Sequence, residues 1–395
     1  MSNMSNRYVV QETPKFDNFT NNSTIFFLET STISLNTENC KMVISLKTIF
    51  YSLLMILILL ASVIGNVVVV IAILISKGLR RKTTMNFVIS LAFSDLLLSC
   101  FKIPIIILTI FKNMDFCQSL AACYLFIITD VVGNVASILN LLLIAIDRFI
   151  AVSFPFRYSD CITLKRTKIL STGIWLFAFF WSAAGLFKWD NVKKQATTID
   201  RGVCKNTNVV YYAVSFYGIY ISALIIMTFI YLKILHVAKC HIDAIDAVTP
   251  AQHKPHSASI KEQLLKDKRK KRLSRELKLT KSFGIAYLAF LACWLPSCII
   301  NIIIKIDQDY FQNLKRSHPT LFDFLYYFSI IILPSMNTML NPIIYSFYNQ
   351  HFLRAFKDVV NKFILKRNTI AERKSTKVTS VNVYNFNHIH HKKTF

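Results

Sequence analysis

The residues of this sequence with the chemistry to do charge-dependent work lie on long apolar segments, and the densest set recurs at helical spacing. Asp130, Asn134, Ser137, Leu141 and Arg148 are separated by 4, 3, 4 and 7 positions, which sets them near one face of a helix. Asp130 to Arg148 is 18 residues, about five turns and about 27 Å of rise. One face therefore carries an acid near one end and an Asp147–Arg148 pair at the other, a layout suited to connecting two sides of a membrane. Asp95 lies at mid-depth in another apolar run, and Asn337, Thr338 and Asn341 precede Pro342 in a third. A buried Asp in such company either holds a small cation by oxygen ligation or is satisfied by hydrogen bonds. Lys102 stands about one helical turn above the plane of Asp130, near enough to be its counter-ion. No nucleophile–base or metal-ligand constellation argues for an enzyme.

Those side chains need a scaffold, and the apolar pattern supplies it. A run of roughly 20 apolar residues crosses about 30 Å of hydrocarbon as a helix. Seven such runs occur, at about 46–75, 85–111, 119–150, 168–187, 209–235, 280–304 and 321–347. Helix is the form they take, because an open strand would leave backbone groups unpaired in lipid. The alternating ten-residue segments of a membrane barrel are absent. Charged residues are only 17% of 395 and apolar residues 54%, less charge than a soluble domain carries. The expected fold class is an all-α membrane protein, a seven-transmembrane helix bundle. Pro296 and Pro342 lie inside helical runs, where each removes a hydrogen bond and kinks its helix.

Orientation follows the Lys/Arg bias of the loops. Loops 76–84, 148–168 and 233–281 with the tail from 349 hold 32 Lys/Arg, against 13 on the opposite side, with Lys102 inside the second span. The first set is expected to be cytoplasmic and the amino terminus extracellular. Four sequons, at Asn3, Asn18, Asn21 and Asn22, precede the first span, where glycan acceptors belong. The first 45 residues contain no basic-then-apolar leader, so the first helix is expected to serve as an uncleaved insertion signal. The net charge of +25 is read as basic residues facing an anionic leaflet rather than nucleic acid, for no recognition module is visible. Cys40, Cys117, Cys123 and Cys204 fall on the outer side, where disulfides persist. A Cys123–Cys204 bridge would hold the loop before span five over the bundle mouth, and Cys40 with Cys117 is a second pairing open to the chain.

Taken span by span, these residues resemble the rhodopsin-like G-protein-coupled receptors. Gly65-Asn66-Val67-Val68-Val69 looks like the first-span signature and Leu91-Ala92-Phe93-Ser94-Asp95 like the second. Asp147-Arg148-Phe149 is similar to the family's Asp-Arg-Tyr, and Trp175 to the fourth-span tryptophan. Tyr231, then Phe290 with Cys293-Trp294-Leu295-Pro296, then Asn341-Pro342-Ile343-Ile344-Tyr345 fit spans five, six and seven. Phe352 and Phe356 suit a short amphipathic helix on the membrane surface. Seven motifs in order cover about 46–360. The domains expected are a glycosylated extracellular segment 1–45, the receptor bundle 46–348, the amphipathic helix 349–365 and a disordered cytoplasmic tail 366–395. The departures are Ala223 where span five usually has proline, and a fourth span without its usual proline.

The resemblance implies a plasma-membrane receptor that activates a heterotrimeric G protein, with arrestin, receptor kinases and membrane lipids as further partners. Its switch would comprise Asp147, Arg148, Glu276, Tyr231, Phe290, Trp294, Pro296, Asn341, Pro342 and Tyr345, with Arg148 pairing to Glu276 at rest. Arg148, Pro155 and Phe156 would touch the G protein. Asp95, Ser137, Asn337 and Asn341 match the family's sodium pocket; no cofactor is implied. The ligand would sit among Asp130, Asn134, Ser215, Trp294, Ser297, Asn301 and Ser335. Asp130 and Ser215 match positions used by amine receptors, which favours a cationic ligand of biogenic amine type. Ser297, Cys298, Ile332 and Ser335 replace the aromatic cage of those receptors, which favours a neuropeptide instead. A pair between Lys102 and Asp130 would defeat the amine reading. A retinal ligand is excluded, since Ser335 stands where its lysine would be. A membrane transporter is the remote alternative; neither inverted repeats nor broken helices support it.

Overall fold

The computed structural model describes the backbone of residues 42, 44–112, 119–155, 157–189, 196–200, 203–247, 258–306, 313–314, 316–348 and 350–363. Side chains are described for these except at 198, 200, 203, 205, 241–247, 258–276, 304–306, 350–351 and 360–363. The sequons, Phe156, the Cys40–Cys117 pairing and the tail 366–395 lie outside the described residues.

Seven long helices appear where the apolar runs predict them. They are α1 (Leu46–Ile75), α2 (Thr84–Phe111), α3 (Leu120–Ser153), α4 (Leu164–Ala184), α5 (from Val209 to Ala247), α6 (Ala258–Ile306) and α7 (Pro319–Tyr348). An eighth, α8 (Gln350–Phe363), follows. Six of the seven are long and apolar enough by themselves to cross a membrane. The seventh, α4, spans 21 residues and mixes Ser171, Thr172 and Gly173 with its apolar face. It begins at Leu164 because Thr163 caps it, its side chain accepting from the Arg166 amide, rather than at the first apolar residue. Likewise Ser45 and Thr48 form a reciprocal capping box at the start of α1. Helix α6 continues the sixth span backward as the basic extension that the sequence suggests.

The bundle is inside-out in polarity relative to a soluble fold. Leu57 and Ile64 of α1, Phe179 and Phe180 of α4, and Ile225 and Phe229 of α5 are exposed, as lipid-facing residues are. Ser62, Asn66, Asp95, Ser137, Asn140 and Asn341 are buried between helices. Small residues set the closest approaches: a Cβ on Gly133 would lie 2.5 Å from Leu98, and one on Gly65 would lie 2.9 Å from Pro342. A large apolar cluster fills the inner half and joins α1, α2, α3, α5, α6 and α7 to Phe352, Ala355 and Val359 of α8. That apolar face of α8 explains why it lies against the bundle end.

Three of the spans contain π-helical segments, Leu98–Lys102 in α2, Val214–Ile221 in α5 and Tyr326–Ile332 in α7. Proline accounts for two. Pro104 and Pro334 follow their segments by two residues; each lacks a backbone donor, and a wider turn accommodates the freed carbonyls. In α5 the wide turn forms without proline, just before Ala223. Such a turn changes the direction of the residues it carries and of those beyond it; Lys102, the last residue of the π-helical segment in α2, reaches α3.

The all-α bundle carries one element that the apolar pattern did not predict. Strands β1 (Thr197–Asp200) and β2 (Val203–Asn206) pair antiparallel in register Thr197↔Asn206. Cys204 of β2 is disulfide-bonded to Cys123 at the outer end of α3, so the expected bridge does pin this loop to the bundle mouth.

Candidate ligand-binding and transduction site

The outer site is built around Asp130 on α3. Lys102 Nζ donates to Asp130 Oδ1 at 2.5 Å, and Asn134 Nδ2, one turn inward, donates to the same oxygen at 2.6 Å. The side chains are 18% and 36% exposed for Lys102 and Asp130, so the pair faces open space rather than packed core. Among the described residues Asp130 Oδ2 takes no hydrogen bond. Tyr220 of α5 lies within electrostatic reach of Asp130. Its ring stacks on Trp294 at 5.9 Å, and Trp294 stacks in turn on Phe290 at 5.9 Å. Among the described residues the Trp294 indole N–H is buried without a hydrogen-bond partner. A charged pair therefore stands above an aromatic floor.

Lys102 already shares Asp130 through Oδ1, so an ammonium ligand would meet a carboxylate that has one cation. Ser215 is committed to protein partners in this structure. It donates to the Tyr211 carbonyl at 2.8 Å and accepts from Trp181 Nε1 at 3.0 Å, facing α4. Ser335 is buried and donates to the Ile331 carbonyl at 2.6 Å, and Asn301 donates to the Ser297 carbonyl at 2.8 Å. Each donates to its own helix, so these donors are engaged by the backbone.

At the inner end of α3, Arg148 is 1% exposed and forms a buried clasp. Its Nη2 reaches Asp147 Oδ2 at 2.6 Å and Thr84 Oγ1 of α2 at 2.6 Å. Thr84 donates to Asp147 Oδ2 at 2.7 Å. Tyr158, in a one-turn helix of the loop after α3, donates to Asp147 Oδ1 at 2.9 Å and meets Arg148 Nη2 at 3.2 Å. Thr83 closes the network on Tyr158 at 2.9 Å. Burial, then the neighbouring Asp147 charge, raises the Tyr158 pKa above the ordinary phenol value, so the hydroxyl stays a donor. Thr84 and Tyr158 were not legible in the sequence, and no spacing signal marks them. The Glu276 side chain and Phe156 lie outside the described residues; Pro155 occupies a turn just after α3.

Between the two ends, Asn341 Nδ2 donates to Asp95 Oδ2 at 2.9 Å, tying α7 to α2. Among the described residues Asp95 Oδ1 and Ser137 Oγ are buried without a hydrogen-bond partner, and Asn337 is buried in α7. A buried polar oxygen left unpartnered is the kind of group that a small cation could satisfy. Asn66 supplies a physical reason for the first-span signature. Pro342 cannot bond the Thr338 carbonyl four residues back, and Asn66 Nδ2 donates to that carbonyl at 2.9 Å. Gly65 leaves room for the Pro342 ring. Nearby, Tyr345 sits between Phe283 at 5.5 Å and Phe352 at 5.6 Å, and Tyr231 stacks on Tyr287 at 5.1 Å. Tyr287 in turn bonds Thr228 of α5 at 2.5 Å, a further tie between α5 and α6.

The comparison with known proteins agrees with this layout. The sequence profile described as "7 transmembrane receptor (rhodopsin family)" matches residues 65–345. The chain belongs to that family. It is a receptor rather than an enzyme, and its seven helices are the family's bundle. It is similar to the alpha-1A adrenergic receptor of Oryzias latipes, 28% identical over 359 residues, 85% of this chain and 73% of that protein. It is 30% identical to the adenosine receptor A2b of Gallus gallus over 336 residues, covering 80% of this chain and 89% of the relative. With the D(1) dopamine receptor of Carassius auratus the identity is 31% over 318 residues, 75% of this chain and 84% of the relative. The receptor's likeness to adrenergic, adenosine and dopamine receptors is thus of one degree.

Proposed function

We propose that this receptor sits in the plasma membrane with its amino terminus outside, and converts binding of a small extracellular ligand into activation of a heterotrimeric G protein. The observation that carries the reading is the layout of α3, with a partly open Asp130 at its outer end and a buried Arg148 clasp at its inner end. Ligand binding over Tyr220 and Trp294 would favour the bundle form in which Arg148 leaves that clasp, a population shift driven by differential affinity. The Lys/Arg bias toward loops 76–84, 148–168 and 233–281 supports the orientation. Asp95, Ser137, Asn337 and Asn341 would hold a sodium ion that stabilises the resting form. Arrestin and receptor kinases would act on the cytoplasmic face, and the sequons would carry glycans.

Relatives named for dopamine and for adenosine match this chain equally well, so ligand chemistry follows from its own site. There, Lys102 stands between a simple amine and Asp130. The test of the receptor reading is basal second-messenger output from cells expressing the chain and its Glu276→Ala variant at matched surface level. The variant is expected to signal more; equal output in every G-protein pathway would count against the receptor reading and against a restraint on Arg148.

A further inference from the structure

We infer that the receptor's ligand is a small zwitterion, carrying an ammonium and a carboxylate close together as an α-amino acid does, with an aromatic or apolar body; this rests on the receptor reading above. The site presents both signs at once, Lys102 Nζ and Asp130 Oδ1 at 2.5 Å. A ligand bearing only a cation would put two ammonium groups on one carboxylate, and one bearing only an anion would strand Asp130. Either leaves a charge uncompensated at membrane depth, which is strongly unfavourable. A zwitterion inserts into the pair and leaves every charge matched. Its ammonium meets Asp130 Oδ2, which takes no hydrogen bond among the described residues. Its carboxylate takes Lys102, whose four-carbon stem lets the ammonium swing. Asn134 keeps its bond to Oδ1 and holds the acid in place meanwhile.

The body of the ligand follows from the wall. Ser215, Ser335 and Asn301 each donate to a carbonyl of their own helix, so these donors are already engaged and the wall's donor capacity toward a polar side chain is reduced. Tyr220 and Trp294 offer stacked rings instead, with the Trp294 N–H as a buried uncommitted donor. Opening the Lys102–Asp130 pair also removes a direct link between α2 and α3.

The test uses the full-length chain in cells, with surface expression measured. The twenty standard L-amino acids are compared with tryptamine, tyramine and phenethylamine, and with the methyl esters of tryptophan, tyrosine and phenylalanine, which keep the ammonium and lose the anion. An aromatic amino acid is expected to activate, with its amine and ester weaker by about tenfold or more, as loss of a charge-assisted bond implies. Lys102→Gln and Lys102→Met are expected to reverse that order by freeing Asp130 for simple amines. Equal or greater potency of the amines in the native chain would overturn the inference. So would a response to peptides alone, or an order left unchanged in both Lys102 variants. Silence to the whole panel while Glu276→Ala still raises basal output overturns the zwitterion and leaves the receptor reading standing; silence in every arm sinks both.

Discussion

Tyr158→Phe deletes one hydroxyl from the Arg148 clasp and leaves the ring in place. That oxygen donates to Asp147 at 2.9 Å and meets Arg148 at 3.2 Å. A hydrogen bond to a charged group contributes about 1.5–3 kcal/mol, and the longer contact is the weaker of the two. At the lower bound, counting the Asp147 bond alone, the form holding the clasp loses about 1.5 kcal/mol, roughly a tenfold change in equilibrium. With a ligand-free active population of about 1%, inside the usual range for a minor state, the substitution raises it to about 10%. The assay is ligand-free second-messenger output plotted against surface receptor, measured alongside Asp147→Asn as a stronger lesion of the same clasp. A several-fold rise for Tyr158→Phe is expected. Unchanged output from Tyr158→Phe with a clear rise for Asp147→Asn would refute the reasoning, because it would mean that the Tyr158 bond persists in the active form.

Three further outcomes follow from the geometry. Gly65→Leu forces a side chain into the Pro342 ring, where even a Cβ lies at 2.9 Å; overpacking of about 1–3 kcal/mol is expected to cut surface expression, and Gly65→Ala to cut it less. Cys204→Ser releases the β1–β2 loop from α3; a loss of about 2–4 kcal/mol is expected to lower the melting temperature of purified receptor, and an unchanged melt would argue that the loop is held by packing alone. Asp95→Asn is expected to abolish the difference in melting temperature between sodium chloride and choline chloride, a difference worth about 1.4 kcal/mol at tenfold over Kd; a sodium effect that survives the substitution would place the ion elsewhere.

The legibility of the site in the sequence differs between its two ends. The inner motif Asp147-Arg148 could be read directly, but its partners could not: Thr84 and Tyr158 lie 64 and 10 positions from Arg148, and no repeat connects them. At the outer end Lys102 was legible as a candidate counter-ion from its depth, whereas the partners of Ser215 were not. Resemblance set Ser215 among the ligand residues, and only the structure shows its hydroxyl between Trp181 Nε1 and the Tyr211 carbonyl. Tyr220, the ring that stacks on Trp294, escaped notice because one aromatic among 16 Tyr and 32 Phe carries no positional signal.

The sequence by itself determined the number of long apolar helices and most of their ends to within a few residues, but not the inner extensions of α5 to Ala247 and of α6 from Ala258. It also determined which side the basic loops favour and which family the chain belongs to. Those properties depend on transfer free energy summed along contiguous residues, and on motifs a few positions long, so they are local and readable in order. The tertiary structure decided which polar groups meet: Lys102 with Asp130 and Asn134, Asn66 with the Thr338 carbonyl, Asn341 with Asp95, Arg148 with Thr84 and Tyr158. Each of those meetings depends on the rotation and depth of one helix against another. A single π turn changes both for every residue beyond it, while leaving the hydropathy of the chain untouched.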